Sequence, residues 1–567
     1  MKPITTSVYT FCDMIEGRFL YVDKTEGLYG LIRDFKAQYF LARPRRFGKS
    51  LMISTLKAIF QGRRELFDGL FIASTDYDWK PYPVIHLDMG STAAQTPEEL
   101  SGKLIYALDR NASALGVSLQ QANCADRFLE LVNTLTARDG RVVILVDEYD
   151  KPLLGHLGQP SAKPIQNVLK QFYSVIKTTE ACQRFALITG VSKFTKVSIF
   201  SDLNNLTDLT MDARAATLLG YTQSELEANF QDYIDRLAGA IVKTRVETLD
   251  ELRIWYNGYR FHHRAETVYN PVSVMKCFDN QEFRNYWFET GTPTFLVDLL
   301  RESPLDLGDL QAPDTAFSTY DPADLAPLPL LVQTGYLTIK GSTCEGRATI
   351  YQLGFPNFEI EESFSYWLVR GFSRLQADDM GSAQRRLLAA LRENRIADML
   401  EILKVFFAKV PNTITIENEK YYQTIFFTVF TLIGVSIETE VSTNIGRIDA
   451  VVKTSEHITI FEFKLNGTAD AAMAQIRQKR YAEPYLDDGR PITLVGVEFS
   501  GQTRNLGAHR IEAVDEQTAN GVGAIRETGE PYITVDKARR AEREDIARRL
   551  QARGIAPDII ADVTGAS

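Results

Sequence analysis

From Gln38 to about Tyr221 the chain alternates short apolar runs with helical patterns. The apolar runs are AQYFLA, YPVIHLDM, RVVILVDEYD and RFALITGV, and an amphipathic segment, KSLMISTLKAIF, follows the first run. Continuous apolar runs indicate strands that are covered on both faces, and helices between them indicate parallel connections. The pattern therefore predicts an α/β domain with a parallel sheet over residues 1–221.

The pattern changes after this predicted sheet. Residues 222–386 are predicted to form a helical, winged-helix-like domain, because helical stretches are interrupted by a strand-like pair, GYLTIKG and RATIYQLG. Linker helices are expected over 387–410, and a compact α/β unit over 411–515. In that unit a buried helix, NEKYYQTIFFTVFTLIG, precedes strands around IETEV, RIDAVV, ITIFEFK and PITLVGVEFS. A charged helical tail is predicted for 516–567, and several domains suit a chain of 567 residues.

The composition is that of a globular protein, with 45% hydrophobic and 24% charged residues. A net charge of -10 argues against a protein that coats nucleic acid over its whole surface, although it leaves a local basic patch open. The five cysteines form no CxxC pair, which suits a reducing compartment. Asp13 and Glu16 interrupt any secretory apolar region, and no stretch approaches the roughly 20 apolar residues of a membrane span. We expect a cytoplasmic protein that does not associate with membranes.

The segment RPRRFGKSL, between an apolar run and the amphipathic segment, predicts a phosphate-binding loop. Its last residues match the second half of GxxxxGK[ST], in which backbone N–H groups and a helix N-terminus surround phosphate oxygens. Arg43 stands where the first glycine of that pattern normally stands. Lys49 is expected to contact the terminal phosphates of ATP, and Ser50 to bind Mg²⁺. The predicted nucleotide-binding residues of this loop are Arg45, Arg46, Gly48, Lys49 and Ser50.

The run RVVILVDEYD supplies the carboxylates that such a loop needs. Asp147 is predicted to hold Mg²⁺ together with Ser50 and water, and Glu148 to orient the attacking water as a general base. Two carboxylates at the end of a buried strand are costly unless a cation compensates them. The alternative is that both residues only cap the following turn.

Several segments resemble the predicted AAA-ATPase-like family of bacterial proteins, which commonly carries a PD-(D/E)XK nuclease-superfamily domain at its C-terminus. The segments are YVDKT, RPRRFGKSL, LVDEYDKPL, ITGVSKFTKVSIFSDLNNLTDLT, WYNGYRF, VYNPVSV, YWFETG and LVQTGYLTIK. The resemblance implies a P-loop NTPase fold in which the arginine-rich loop is the usual form. It also implies that the strand ending near Thr189 to Lys193 supplies sensor residues. Asp23 and Lys24 either reach the nucleotide or pair with each other at the surface.

The segment GRIDAVVKTSEHITIFEFK predicts a second phosphate-chemistry site. Metal-dependent phosphodiester hydrolysis needs carboxylates to hold Mg²⁺ and a cation beside them. Glu462 and Lys464 are two residues apart on a predicted strand, so they face the same side. A hairpin folded about KTSEH places Asp449 close to opposite Glu462. The three residues are therefore predicted to converge on one metal ion and to be catalytic.

This D…ExK pattern resembles the PD-(D/E)XK superfamily and implies a C-terminal α/β domain of the restriction-endonuclease-like fold. The resemblance adds Glu419 as a metal ligand on the preceding helix and Gln475 as an assisting polar residue. The alternative is that Glu462 and Lys464 form an exposed ion pair that contributes little. Their apolar neighbours favour a largely buried strand instead.

Together these features predict an ATP-binding protein, an ATPase that controls a Mg²⁺-dependent nuclease-like domain acting on nucleic acid, with DNA favoured over RNA. The alternative is a nucleotide-dependent switch whose C-terminal domain recognises a partner without cleaving it. The missing first glycine and the lack of an obvious arginine finger motivate this alternative. A homo-oligomer is compatible with either interpretation.

Overall fold

A computed structural model describes most of the chain. The described residues are 1–156, 159–193, 206–287, 299–300, 310–317, 326–346, 348–373, 377–408, 426, 429–430, 436–442, 447–500, 502–503 and 505–514. The chain divides into two compact units. The first is Met1–Leu305 with Leu310–Trp367, and the second is Asp306–Asp309 with Leu368–Ser567.

The described part of the first unit contains eight strands and a larger number of α-helices, with short 3-10 helices between them. The strands are β1 (Ala37–Ala42), β2 (Val84–Asp88), β3 (Val142–Asp147), β4 (Gln183–Gly190), β5 (Thr207–Asp208), β6 (Gln311–Pro313), β7 (Thr338–Glu345) and β8 (Ala348–Gly354). The helices that begin in this unit are α1 (Phe11–Glu16), α2 (Thr25–Ile32), α3 (Lys49–Phe60), α4 (Pro97–Ala114), α5 (Cys124–Asp139), α6 (Lys151–Leu154), α7 (Ala162–Thr178), α8 (Gln223–Asn229), α9 (Gln231–Ile241), α10 (Arg245–Tyr256), α11 (Pro271–Asn280), α12 (Pro327–Thr334) and α13 (Phe358–Ser373). Within the described residues, no helix has the length and apolar character needed to cross a membrane.

Strands β1 to β5 form one parallel sheet in the order β2-β3-β4-β1-β5. This confirms the parallel sheet predicted from the apolar runs. Because all five strands run in the same direction, their carboxyl ends lie along one edge of the sheet. Strand β4 lies between β1 and β3, so the loop that follows β1 and the acids that end β3 reach the same edge.

The central strands are apolar because helices cover both faces of the sheet. Every residue of β3 and of β4 is buried. On one face, Leu104 of α4, Phe128 of α5 and Phe172 of α7 are fully buried in a cluster with these strands. Burial on both faces explains why these strands lack the polar alternation of a half-exposed sheet.

The rest of the first unit is helical with a small sheet. Thr222 and Thr244 start α8 and α10 with capping boxes, in which side chain and backbone exchange hydrogen bonds with the third helical residue. Helices α8 to α11 enclose a second apolar cluster that includes Leu237, Leu252 and Phe278. Strands β7 and β8 form an antiparallel hairpin, which confirms the predicted strand pair, and β6 pairs with the outer side of β8.

The second unit is built on a mixed five-stranded sheet. Its elements are α14 (Ala377–Arg392), α15 (Ile396–Ala408), β9 (Ser436–Ser442), β10 (Arg447–Lys453), β11 (Ile458–Leu465), α16 (Ala469–Gln478), β12 (Ile492–Ser500) and β13 (Asn505–Ala513). The order is β13-β12-β11-β10-β9, with β11 and β12 parallel and the other pairs antiparallel. Helix α16 crosses this sheet closely at Gly496, where a Cβ would lie 2.6 Å from the Ala469 carbonyl oxygen.

Two sequence predictions for the C-terminal half fall largely outside the described residues. Of the predicted buried helix, Phe426, Val429 and Phe430 are described, and all three are helical. Glu419 and the predicted charged tail over 516–567 lie outside the described residues. The predicted domain limits, among them those of the linker over 387–410, stay predictions.

Candidate functional site

The loop between β1 and α3 has the backbone of a phosphate-binding turn. Gly48 directly precedes α3 and has φ +90°, and Arg46 has φ +68°. The positive φ at Gly48 favours glycine, because a Cβ strains the backbone there. A Cβ built on Gly48 would meet no atom within 4 Å, so open space lies beside the start of α3. A helix N-terminus that borders open space is suited to bind an anion.

Lys49 turns its side chain back over this loop. The side chain is 7% exposed, and its Nζ donates hydrogen bonds to the carbonyl oxygens of Arg43 and Pro44, both at 2.9 Å. Burial lowers the pKa of Lys49, and the charges of Asp147 and Glu148 act against that shift. The Lys49 ammonium therefore lies within electrostatic reach of the acids at the end of β3.

Asp147 is held at the edge of the sheet by the neighbouring strand. Its Oδ1 accepts hydrogen bonds from the Thr189 hydroxyl at 2.7 Å and from the Glu148 N–H at 3.0 Å. Thr189 lies on β4 in the stretch assigned to sensor residues, so the structure identifies which residue of that stretch contacts Asp147. Lys193 instead forms an ion pair with Asp208 at 2.9 Å.

Glu148 extends from the end of β3 toward β2. Its backbone has φ +52°, which is uncommon for a residue with a Cβ. A Cβ built on Gly90 would lie 3.2 Å from Glu148 Oε2, so the carboxylate lies beside the turn that follows β2. Burial raises the pKa of Glu148, and the charges of Lys151 and Lys49 act against that shift. A carboxyl group with a raised pKa in a cavity is suited to accept a proton from water.

The sequence interpretation missed Asp150. Its side chain is 1% exposed, and Oδ2 accepts hydrogen bonds from the N–H groups of Val191 and Ser192 at 3.1 and 3.0 Å and from the Ser192 hydroxyl at 2.9 Å. The Tyr149 hydroxyl also donates to the Ser192 carbonyl at 2.7 Å. These contacts fix the chain that leaves β4 against the residues that follow β3. The signal in the sequence was the third acid of LVDEYDKPL, three residues after Asp147.

Arg43, at the position of the first glycine, points away from the loop and into the protein. It is 1% exposed, and its guanidinium donates to the carbonyl oxygens of Ala42, Thr210 and Ala215 at 2.9, 2.7 and 2.7 Å. The same group lies 4.1 Å from the centre of the Phe261 ring. Arg43 thus connects β1 to the segments that follow β5.

The two polar residues of YVDKT have different partners. Asp23 binds the first residue of α2, because its Oδ1 accepts hydrogen bonds from the N–H and hydroxyl of Thr25 at 2.8 and 2.7 Å. Lys24 forms an ion pair with Glu225 of α8 at 2.6 Å and donates to the Thr217 carbonyl at 2.8 Å. Lys24 therefore ties the N-terminal segment to the helical region.

The loop and Glu148 border a cavity of about 520 Å³. This volume lies within the range of about 300–1,000 Å³ that is usual for small-molecule sites. One end is polar and is lined by residues of the loop and of the strand ends, namely Arg45, Arg46, Gly48, Lys49, Ser50, Asp88, Gly90 and Glu148. The remainder is largely apolar and is lined by residues that include Leu20, Tyr21, Val22, Leu218, Leu219, Pro271, Val272 and Met275. A cavity with a cationic end and an apolar end suits a molecule that carries phosphates on an aromatic base.

The second candidate site lies on β10 and β11. The two strands are antiparallel, and their register pairs Ala450 with Phe461. One step further along the same register, Asp449 lies opposite Glu462. Asp449 Oδ2 accepts a hydrogen bond from the Phe463 N–H at 2.7 Å, and Lys464 Nζ forms an ion pair with Glu462 Oε1 at 2.8 Å. Glu462 is 1% exposed, whereas the Lys464 side chain is 29% exposed, so the carboxylate is buried and the lysine is half-buried. Carboxylate oxygens are the ligands that Mg²⁺ prefers, and this donor set fits that ion.

Tyr481 was not predicted as part of this site. Gln475 Nε2 donates to the Tyr481 hydroxyl at 3.2 Å. Burial raises the pKa of Tyr481, and the charges of Glu462, Asp449 and Lys464 all act on it. The Tyr481 hydroxyl therefore lies within electrostatic reach of the three predicted catalytic residues, and its hydrogen bond with Gln475 links that residue to them. Among the residues that the structure describes, no three His, Cys, Asp or Glu side chains form a group that could hold a metal ion.

The geometry defines the class of each unit. A parallel sheet whose first strand runs through a Gly-Lys-Ser turn into a helix, with two acids ending a nearby strand, is a P-loop NTPase fold. The second unit, a mixed sheet that carries Asp449, Glu462 and Lys464, has the α/β architecture of a PD-(D/E)XK nuclease-like domain.

Comparisons with known proteins give the family. The family model described as Predicted AAA-ATPase matches residues 5–200, and that of the PD-(D/E)XK nuclease superfamily matches residues 417–509. A protein of Azotobacter chroococcum mcd 1, described as "Uncharacterized protein in vnfD 5'region", is 38% identical over 528 residues, which cover 90% of this chain and 99% of that protein. The chain belongs to this predicted AAA-ATPase family and carries a C-terminal domain of the PD-(D/E)XK superfamily.

Two solved structures align with the chain at low similarity. The Aeropyrum pernix ORC1 protein in complex with DNA is 13% identical, with 60% of this chain and 90% of that chain covered and a TM-score of 0.23. The Aeropyrum pernix ORC2 protein, in ADPNP–ADP complexes, is 12% identical, with 58% and 87% covered and a TM-score of 0.25. At these scores the likeness carries no argument about this chain.

Proposed function

We propose that this protein is a Mg²⁺-dependent ATPase whose nucleotide state controls a nuclease-like domain acting on nucleic acid, with DNA favoured over RNA. The observation that carries the first part is the cavity of about 520 Å³ that places Lys49 and Glu148 at one end and apolar side chains at the other. The proposal takes the domain limits predicted from the sequence and a cytoplasmic location as its framework.

In the nucleotide site, each predicted residue has a role that its position supports. Lys49 exchanges the carbonyl oxygens of the loop for the terminal phosphates of ATP, since an ammonium group binds phosphate oxygens more strongly than neutral carbonyls. Ser50 and Asp147 hold Mg²⁺, which neutralises charge on the phosphates. Glu148 accepts a proton from the attacking water. Arg45 and Arg46 add positive charge at the same end of the cavity.

In the second site, Asp449 and Glu462 hold a separate Mg²⁺, with Glu419 as a proposed further ligand. The ion would polarise the scissile phosphate. Lys464 positions the attacking water or stabilises the developing charge, because its ammonium already lies 2.8 Å from Glu462. The support for this assignment is that Glu462 is a buried carboxylate next to a second carboxylate, Asp449, an arrangement that is costly unless cations compensate both charges.

The ATPase proposal is tested with Lys49→Ala in the full chain. We expect ATP turnover to be lost in this variant, because the proposal assigns contact with the terminal phosphates to the Lys49 ammonium, and alanine removes that group. Lys57→Ala is the matched control, since Lys57 lies in α3 but does not line the cavity. Turnover in Lys49→Ala equal to that of the wild type would refute the assignment.

The nuclease proposal is tested by cleavage of DNA with Mg²⁺, measured with and without ATP. We expect Asp449→Ala and Glu462→Ala to lose cleavage and to keep ATP turnover, and Glu456→Ala, at the exposed turn of the hairpin, to behave as wild type. Equal cleavage by the wild type and by both variants would rule out this site. Binding of DNA without cleavage by the wild type would favour the alternative of a recognition domain.

A further inference from the structure

Glu359, near the start of α13, is a fully buried carboxylate that no ion pair joins to a basic side chain among the described residues. Its Oε1 accepts three hydrogen bonds, from the N–H groups of Tyr286 and Trp287 at 2.7 and 2.8 Å and from the Ser273 hydroxyl at 3.1 Å. Its Oε2 is buried and has no hydrogen-bond partner in the part of the chain that the structure describes. A buried carboxylate with a bare oxygen is costly, so its presence calls for a physical explanation.

The first partner of Glu359 leads directly to the phosphate-binding loop. The same Tyr286 whose N–H binds Glu359 accepts a hydrogen bond at its carbonyl oxygen from Arg46 Nη1 at 2.6 Å. Arg46 lines the polar end of the cavity and has φ +68°, a backbone conformation that other contacts must maintain. The Tyr286 carbonyl and the Trp287 N–H belong to the same peptide, so Glu359 fixes the peptide that holds the Arg46 guanidinium.

The second partner leads to the apolar end of the same cavity. Ser273 lies in α11, and its neighbours Pro271, Val272 and Met275 line the cavity. A single carboxylate oxygen thus connects the segment that holds Arg46 with the helix that forms one cavity wall.

Arg46 is the cation whose charge stabilises the ionised form of Glu359. Burial raises the pKa of Glu359 to about 7, and the charge of Arg46 acts against that shift. Among the described residues, the titratable groups that interact electrostatically with Glu359 include Tyr256 of α10, Tyr259 just after it, and Cys277 of α11. Burial raises the pKa of each of these three groups, so they are neutral near pH 7.

We propose that Glu359 is a positioning residue that holds Arg46 ready for the terminal phosphate of a bound nucleoside triphosphate. The inference rests on the proposed function, since it requires the phosphates to lie at the polar end of the cavity. The ionised Glu359 carboxylate anchors the N–H groups of Tyr286 and Trp287, and this orients the Tyr286 carbonyl that holds the guanidinium. When a triphosphate binds, the guanidinium exchanges that neutral carbonyl for a charged phosphate oxygen. A diphosphate offers no such oxygen at that place.

The experiment measures how much more tightly the full chain binds the imido analogue of ATP than ADP, both with Mg²⁺. Wild type, Glu359→Gln, Arg46→Ala and the double variant form a cycle that isolates the coupling of the two residues. Glu361→Gln is the matched control, because Glu361 lies on the same helix and faces Lys340. We expect wild type and control to prefer the triphosphate by about tenfold, the effect of one charge-assisted hydrogen bond. Each single variant should lose this preference, and the double variant should lose no more.

The pH dependence separates positioning from a purely structural role. In the wild type the preference should decline as the pH falls below about 7, where Glu359 takes up a proton, and both single variants should lack this decline. A preference retained in either single variant, or losses that multiply in the double variant, would overturn the inference. So would a decline that persists in Arg46→Ala, because another group such as Glu148 would then cause it. This last comparison uses wild type and Arg46→Ala alone, so it decides the matter even if Glu359→Gln does not fold.

The failure of this inference differs from the failure of the proposed function. A chain that binds both nucleotides but turns over ATP no faster than Lys49→Ala refutes the proposed ATPase, and the preference for the triphosphate still decides the role of Glu359. An active ATPase in which neither variant alters that preference refutes the role of Glu359 alone.

Discussion

Replacing Arg43 by methionine should destabilise the first unit, although Arg43 lies within a predicted phosphate-binding loop. The guanidinium is 1% exposed and donates to carbonyl oxygens of Ala42, Thr210 and Ala215. It also lies 4.1 Å from the centre of the Phe261 ring. Methionine keeps an apolar side chain of similar length, so the change removes these polar contacts and leaves most of the packing.

The size of the effect follows from the acceptors that lose their donor. A buried acceptor left without a donor costs about 1–3 kcal/mol, and Arg43 serves carbonyl oxygens in two segments beyond its own strand. Part of this loss is offset, because the charged guanidinium is itself expensive to bury. Burial lowers its pKa to about 9, and methionine carries no such cost. We therefore expect a net loss of about 3 kcal/mol, which lowers the unfolding temperature by on the order of 5 °C.

Thermal unfolding of the full chain, followed by circular dichroism, measures this change. Arg45→Met is the control, because Arg45 is exposed and lines the cavity, and it should melt close to the wild type. If Arg43→Met melts like the wild type, the guanidinium does not hold these segments together. A wild-type melting temperature combined with weakened ATP binding would instead assign Arg43 to the nucleotide.

Two further predictions concern buried acids. Glu148→Gln should keep ATP binding and lower kcat by about 10²–10³-fold, the usual effect of losing a general base. Because burial raises the pKa of Glu148, the kcat of the wild type should fall as the pH drops through that raised value. A kcat that does not change with pH would contradict the role of Glu148 as a general base. For Glu359, burial raises the folded-state pKa from 4.5 to about 7, so the folded chain binds the proton more tightly than the unfolded chain. The contribution of Glu359 to the free energy of unfolding is then fully present below pH 4.5 and is lost as the pH rises through about 7, and the loss is about 3 kcal/mol at most. Urea unfolding measures this loss as the difference in free energy of unfolding between about pH 5 and about pH 8. That difference should be smaller for Glu359→Gln than for the wild type.

The parts of the fold that the sequence predicted are those that contiguous residues determine. Strands β3 and β4 are covered on both faces, so their apolar runs mark them directly. The turn at Gly48 depends on its own φ and on the helix that begins at Lys49, both of which the motif contains. Asp449 and Glu462 lie opposite each other because alternate residues of a strand share one face and a short hairpin sets the register of the two strands. The roles of these residues stay predictions, but their placement follows from local rules.

The parts that the sequence did not predict depend on single contacts between distant segments. Asp150 binds Ser192, 42 residues away, and Glu359 binds Tyr286, 73 residues away. Nothing in FEIEESF distinguishes Glu359 from Glu361 and Glu362, since helix periodicity identifies a buried face but not the polar partner that a buried acid will meet.

The cost of such acids indicates where function is concentrated. An acid that only stabilised the fold would be expected to have a lowered pKa, because its contacts would favour the charged form. Burial raises the pKa of Glu148, Asp150 and Glu359, so each of them weakens the folded state when it is ionised. Asp150 binds the chain that leaves β4, whereas Glu148 lines the cavity and Glu359 reaches it through one peptide and Arg46. An acid that costs stability and lies at this cavity, or leads to it, is better explained by ligand binding than by folding.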